Sequence, residues 1–312
     1  MRVSRANLGM GKPGAARLTR VNGLLVIDKP GGMTSHDVVN ALRKITGERT
    51  IGHLGTLDPM ATGVLPLLMG KFTRLAQYFS SAEKSYTGAI RFGFATDTYD
   101  ADGEAMGAPV EPELTVEQVR GAAERFHGDV EQMPPPYSAK KIAGVPAYKL
   151  ARAGKPVELK PAKIRISSFE ILHLDGEVAA FRMDVSAGGY VRSVAHELGC
   201  ALGCGAHLSN LRRTRAGVFT LEDAHTLEEI EERAGNMEAV ERMCVHPRTL
   251  LAEMPAVAGD EMALGRLRNG AQANLPEFSQ AALVKVFAGQ RELVGIAKRV
   301  AGTLFKPVVV MG

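Results

Sequence analysis

Apolar positions recur along this chain at two different periods, and the changes between them mark its elements. Gly23-Leu-Leu-Val-Ile27 is a short unbroken apolar run, which predicts a buried strand ended by the turn Asp28-Lys29-Pro30-Gly31-Gly32. Thr34 followed by Asp37 has the spacing of a helix cap. Val38, Val39, Leu42 and Ile45 then keep helical spacing until Gly47. Residues 84–95 alternate as a strand does, through Tyr86, Ile90, Phe92 and Phe94. Thr115 and Gln118 open a further helix with capping-box spacing, and the prolines of 134–136 hold that stretch extended. Two strands, 163–174 and 178–186, are joined by the turn Asp175-Gly176. Helices are predicted over 190–202 and 207–214, and the stretch 222–241 is helical in composition. Strands at 283–287, 293–298 and 304–310 with Gly-containing turns then change the texture near residue 250.

This pattern is α+β, a large mixed-sheet domain followed by a small β-rich module. A length of 312 residues exceeds what one core usually supports, which agrees with two domains. The expected division is a basic disordered arm over 1–20, a domain over 21–248 and a C-terminal domain over 249–312. No stretch of about 18 apolar residues is present, so no membrane span is expected. Three cysteines are too few and too odd for a disulfide framework and suit a reducing cytoplasm.

Charge adds a partner class. The net charge of +4 hides +5 in residues 1–20, −7 in 222–241 and +4 in 242–312. Basic ends, with the local run Arg212, Arg213 and Arg215, suit a polyanion such as a nucleic acid.

The segment Gly52-His53-Leu54-Gly55-Thr56-Leu57-Asp58-Pro59-Met60-Ala61-Thr62-Gly63 sets one His and one Asp among glycines and a proline. It describes a tightly turned loop that lets backbone approach a ligand. Taken alone, Asp58 is equally a turn cap before Pro59. His196, Cys200, Cys204 and His207 have zinc-ligand chemistry, but one helix cannot carry residues at i, i+4 and i+8 around a tetrahedral ion, so no metal is expected. Thr98–Gly103 imitates a calcium loop and lacks its terminal Glu, with Pro109 in that place.

Taken in order, the motifs are more specific than any one of them. Asp28–Ser35, the 52–65 segment, Lys84-Ser-Tyr86, Thr96–Gly103, Gln132–Ala139, Gly189-Tyr-Val-Arg192 and Gly205–Arg213 resemble the TruB family of tRNA pseudouridine-55 synthases over roughly residues 22–220. The resemblance implies a pseudouridine synthase fold, a mostly antiparallel mixed sheet flanked by helices, with a C-terminal PUA-like RNA-binding domain. It implies isomerisation of a T-loop uridine of tRNA after the base is flipped out. Asp58 matches the family's essential aspartate, Tyr86 the aromatic that stacks on the flipped base, and His53 the residue that fills the vacated RNA loop. Tyr190 and Leu211 match the base pocket, Arg192 the arginine that pairs with and orients the aspartate and would keep it ionised, and Lys29 a basic substrate contact. An isomerisation needs no cofactor or metal. The implied protein is a cytoplasmic monomer that binds tRNA through its T-arm, with no membrane and no protein partner.

Asp58 can serve as a nucleophile or as the base of an elimination, and both routes stay open. One departure from the family pattern is Ala187-Gly188-Gly189-Tyr190, where Lys-Gly-Thr-Tyr is usual. Other readings are a non-catalytic RNA-binding protein that uses the same cleft, a guide-RNA-dependent synthase, and a hydrolase that uses Asp58 with His53.

Overall fold

The computed structural model describes residues 21–138, 141–142, 145–146 and 159–311, so the expected arm over 1–20 lies outside the described residues. The predicted first strand is β1 (Gly23–Lys29). Its alternation serves two cores: Leu25 and Ile27 enter one apolar cluster, while Leu24 and Val26 enter another. A strand covered on both faces reads as continuous apolar sequence.

The predicted helix is α1 (Ser35–Thr46), with the complete Thr34–Asp37 capping box and a left-handed Gly47 at its end. Short β2 (Ile51–His53) leads through the Asp58 loop to β3 (Thr62–Met69), and β4 (Lys84–Phe92) follows. A two-strand hairpin, β5 (Ala95–Thr96) with β6 (Ala105–Met106), precedes α2 (Val116–Ala123), which the Thr115–Gln118 box caps. Then come β7 (Gly128–Gln132), the paired β8 (Lys141–Ile142) and β9 (Val145–Pro146), β10 (Ala162–Asp175) and β11 (Val178–Val185). Helix α3 (Val191–Ala201) is followed by β12 (Ala206–Ala216) and β13 (Phe219–Thr220). These strands make one sheet of order β1-β3-β12-β4-β11-β10-β7, with β2 on β3 and β13 on β12. Every pairing is antiparallel except β12 with β3. Helix α2 packs on β10 and α3 on β12, which sets the start of α3 over the middle of the sheet.

One predicted element is wrong. Residues 207–214 are not helical; they lie in β12, the strand between β3 and β4. The cause is a bulge: the register with β4 slips between Leu208 and Asn210. The extra residue brings Leu208 and Leu211, three apart as on a helix, into the same core. The strand β3 went unread because Gly63 and Pro66 interrupt its pattern.

The acidic stretch folds as the short helices α4 (Leu227–Glu231) and α5 (Met237–Met243). A second sheet, order β14-β16-β17-β18-β15, follows: β14 (Ala256–Ala258), β15 (Ala273–Asn274), β16 (Leu283–Ala288), β17 (Glu292–Ala301) and β18 (Leu304–Val310). Helix α6 (Glu261–Arg268) lies against it. Phe287, Leu293 and Ile296 of this sheet share an apolar cluster with Leu24, Val64 and Phe72, so buried surface joins the two sheets. Among the described residues no helix is long and apolar enough to cross a membrane.

Candidate active site

The loop bearing Asp58 is held from three sides. From the start of α1, the buried Ser35 hydroxyl accepts from Leu57 N at 2.8 Å and donates to Leu57 O at 3.2 Å. From the end of β1, Lys29 Nζ donates to the carbonyls of Pro30, Met33 and Pro59 at 2.8, 2.5 and 3.2 Å. From β12, Arg213 donates to Val64 O at 2.7 Å and Gly55 O at 3.1 Å. These bonds satisfy carbonyls that an irregular loop would otherwise bury unpaired.

Opposite stands the first turn of α3. No side chain of its own caps this helix. Instead the buried Gln132 at the end of β7 accepts from Tyr190 N at 2.8 Å and donates to Tyr190 O at 3.0 Å. Ser193 adds a bond to Met133 O at 2.7 Å. So fixed, Arg192 is 4% exposed and extends to Asp58 Oδ1 at 2.9 Å, to the carbonyls of Thr98 and Tyr137 at 3.0 Å each, and to Asp100 at 3.3 Å. Asp100 is also buried and is turned by Thr98 Oγ1 at 2.5 Å. Next to it, Tyr99 has φ +64° and stacks its ring on His196 at 3.8 Å. The polar loop 96–103 thus supplies a second carboxylate to Arg192, a role that its sequence did not reveal.

A cavity of about 230 Å³ opens where loop, helix and sheet meet. Asp58, Tyr86, Tyr190, Arg192 and Leu211 line it together, so five of the seven predicted site residues converge. It is smaller than the ~300–1,000 Å³ of drug-sized sites and suits one flat ring. Lys84 and Arg213 also line it, where the sequence suggests no role for Lys84 and only a place in a basic run for Arg213. A larger cavity of about 430 Å³ lies between β1 and the second sheet, with acids and bases mixed in its wall and none of the convergent groups.

Burial pushes the Asp58 carboxyl up, and Arg192 and Lys29 oppose this without cancelling it, while Asp100 adds to the rise. Arg192 therefore bonds to the carboxylate, but it does not hold its pKa below the usual range. Lys29 is fully buried behind the loop, and burial brings its pKa down to about 8. The expected substrate contact is thereby corrected to a positioning one, since three carbonyls occupy the ammonium. His53 ends β2 beside the cavity rather than lining it, with Nδ1 buried and unpartnered, and burial and Arg213 push its pKa down. No bond joins it to Asp58, so the two do not form a hydrolase pair.

The zinc candidate comes apart: His207 is on β12, its ring 4.6 Å from that of Phe94 and Nδ1 at 3.1 Å from Phe94 O. Among the described residues no three His, Cys, Asp or Glu side chains are grouped to hold a metal ion.

Comparison with known proteins matches the N-terminal domain of TruB family pseudouridylate synthases over residues 43–191. The C-terminal domain of tRNA pseudouridylate synthase B matches over 192–252. The chain is similar to tRNA pseudouridine synthase B of Solibacter usitatus, 46% identical over 93% of this chain and all of that protein. It is also similar to that of Aquifex aeolicus, 38% identical over 91% of this chain and 98% of that one. Among solved structures, a Cbf5-Nop10-Gar1 complex contains a chain of similar fold, with TM-score 0.68 and 26% identity over 94% of this chain and 85% of that one. An H/ACA RNP bound to a substrate RNA containing 2′-deoxyuridine contains another, with TM-score 0.66 and 25% identity over 93% and 85%.

Proposed function

The chain belongs to the TruB family of pseudouridylate synthases, and on that footing we propose that it isomerises a uridine in the T-loop of tRNA to pseudouridine, with Asp58 as the catalytic carboxylate. The observation that carries the assignment of Asp58 is its bond to the buried Arg192 at the wall of a ring-sized cavity shared with Tyr86, Tyr190 and Leu211.

The reaction breaks the bond between ribose C1′ and uracil N1, turns the base and rejoins it through C5. Substrate and product contain the same atoms, so no redox partner enters the overall equation. The uridine must first leave the stack of the T-loop, at a cost of about a few kcal/mol. Tyr86 and Tyr190 offer aromatic faces in exchange, and Leu211 adds an apolar surface. His53, beside the mouth, fills the space that the base leaves behind.

Asp58 then acts on the ribose in one of two ways. As a nucleophile it bonds to C1′ as uracil departs, and is expelled when C5 attacks. As a base it removes the C2′ proton, uracil departs by elimination, and the same carboxyl returns the proton to C2′ as C5 bonds to C1′. Both routes need an ionised, aimed carboxylate; Arg192 aims it by a charge-assisted bond and opposes the rise in its pKa. Asp100 adds a second carboxylate to Arg192, and Lys29 positions the loop from behind.

The second sheet acts as a PUA-like RNA-binding domain over 249–312, gripping phosphates away from the T-loop. Residues 21–248 make the catalytic domain, and the basic arm over 1–20 adds charge toward RNA. The protein works in the cytoplasm as a monomer and calls on no protein partner.

The test is pseudouridine formation in an unmodified tRNA transcript by the wild type and Asp58→Asn, with tRNA affinity measured for both. We expect T-loop product from the wild type, none from the variant, and similar affinity. Product from Asp58→Asn would remove that residue from the mechanism. Binding by both proteins with product from neither would favour the non-catalytic RNA-binding reading.

A further inference from the structure

Four charged side chains line the cavity, Lys29 and Asp100 stand behind them, and the six divide into two groups. Arg192 and Lys29 stand with Asp58 and Asp100, and their signs balance. Lys84 and Arg213 have no such partner. Among the described residues no carboxylate lies within ion-pair distance of either, and the one charge acting on Lys84 is that of Arg213, of the same sign.

Strand geometry brings the two together. Lys84 and Tyr86, two apart on β4, share a face, as do Leu211 and Arg213 on β12. Tyr86 pairs directly with Arg213 across the strands, so Lys84, Tyr86, Arg213 and Leu211 form one floor to the cavity. Gly55 covers this floor closely: a Cβ there would meet Arg213 Nη1 at 3.6 Å and Lys84 Cε at 3.7 Å. Arg213 is 1% exposed, with its guanidinium on the carbonyls of Val64 and Gly55. Lys84 gives one bond, to Ala82 O at 2.5 Å, which leaves two N–H groups. The half-buried Lys84 and the buried Arg213 repel, and desolvation together with Arg213 pushes the Lys84 pKa down. Such a pair is costly unless an anion completes it.

The reaction proposed above generates that anion in this cavity. By either route the electron pair of the C1′–N1 bond stays on the departing ring and spreads from N1 onto O2 and O4. We infer that Lys84, backed by the field of Arg213, is a catalytic residue that stabilises the detached uracil anion while it turns. The inference rests on the isomerase reading of the cavity. Lys84 donates a hydrogen bond and transfers no proton. When C5 bonds to C1′, the C5 hydrogen leaves as a proton, N1 takes one up, and the charge on the ring is discharged.

A phosphate of the extruded nucleotide is the other anion that Lys84 could meet, since Lys84 also borders the adjoining apolar cavity near Phe79. The two differ in when they act. A phosphate is bound before the chemistry, whereas the uracil anion exists only after the bond breaks.

The experiment compares wild type, Lys84→Gln and Lys84→Arg on a tRNA transcript, measuring the single-turnover rate at saturation, tRNA affinity against salt, and the thermal midpoint. Loss of one donor to developing charge lowers a rate by about 10²–10³-fold. We expect Lys84→Gln to be about 100-fold slower and Lys84→Arg less than about 10-fold slower, with affinity within about twofold. The Lys84→Gln midpoint should not fall, because a repulsion is relieved. A Lys84→Gln rate within about threefold of an active wild type would overturn the inference and leave the isomerase reading standing. So would a loss confined to affinity with the salt slope reduced by about one, the signature of a phosphate contact. A wild type that makes no pseudouridine would overturn both.

Discussion

Arg192 and Asp58 stand 134 residues apart in the chain and 2.9 Å apart in space, yet the bond does not cancel the rise that partial burial gives the Asp58 pKa. The carboxyl is raised above its ordinary 3.8, because burial outweighs the pull of Arg192 and Lys29. A group whose folded pKa is raised lends stability that is complete below its unfolded pKa and lost as pH rises through the folded one. Ionised Asp58 is therefore a cost to the fold near neutral pH. Asp58→Asn should unfold at higher urea than the wild type at pH 7, with the gap closing below about pH 4. A less stable variant at pH 7 would mean that the Arg192 bond outweighs the burial.

Gly63 sits where β3 runs beside β12, at φ +100°, and a Cβ there would come within 2.2 Å of Arg213 O. No rotamer relieves a clash between two backbones. Gly63→Ala should cost about 3 kcal/mol or more, the sum of a left-handed conformation and a forced separation of strands. Urea unfolding measures it, and a loss under about 1 kcal/mol would mean that the strands part freely.

Much of this fold could be read locally, and most of the site could not. The Thr34–Asp37 and Thr115–Gln118 boxes, the Gly47 stop and the strands on either side of Asp175-Gly176 depend on neighbours in sequence, and each formed where its pattern put it. Strand β12 misled because its bulge imitates helical spacing. Asp58, Tyr86, Tyr190, Arg192 and Leu211 were found by resemblance of whole motifs, since each alone has an ordinary structural use. Asp100, Lys84, Gln132 and Arg213 stood inside the same motifs without a role. What gives them one is pairing across 50 residues or more, such as Gln132 with Tyr190, and no local pattern carries that.

Lys29 ties β1 to the loop of Asp58 through three carbonyls. Lys29→Met keeps the apolar stem but takes this donor from the Pro30 and Met33 carbonyls and leaves the Pro59 carbonyl with the Gly32 N bond alone, at about 1 kcal/mol or more. The rate should fall with tRNA affinity unchanged, since the loop and not the RNA loses its support. The pH trend has a definite sign. The folded pKa, lowered to about 8, lies below the ordinary 10.5, so between these values the unfolded chain holds more protons and stability rises with pH. The advantage of wild type over Lys29→Met should thus widen from pH 8 toward 10. Urea midpoints across that range measure it, and a gap that narrows would mean that the three carbonyls hold the proton on Lys29.

Gln132 does not itself line the cavity, yet both of its amide bonds go to the backbone of Tyr190, which does. A carboxamide matches this pair because it accepts from N–H and donates to C=O at once. Glutamate keeps the acceptor, but it sets a second oxygen against the Tyr190 carbonyl. Gln132→Glu should therefore be impaired despite its shape, and Gln132→Ala should leave Tyr190 N unpaired and its carbonyl with only the 3.4 Å bond from Val194 N, at about 1–3 kcal/mol in all. Because Tyr190 precedes Arg192 by two residues, a shift of the first turn of α3 displaces the base-facing ring and the partner of Asp58 together. Both variants should then lose about 10²-fold in single-turnover rate, as misplacement by about 1 Å does, with tRNA affinity changed far less. A Gln132→Glu enzyme as fast as the wild type would show that Met133 and Ser193 alone fix the helix, with the amide acting only as packing.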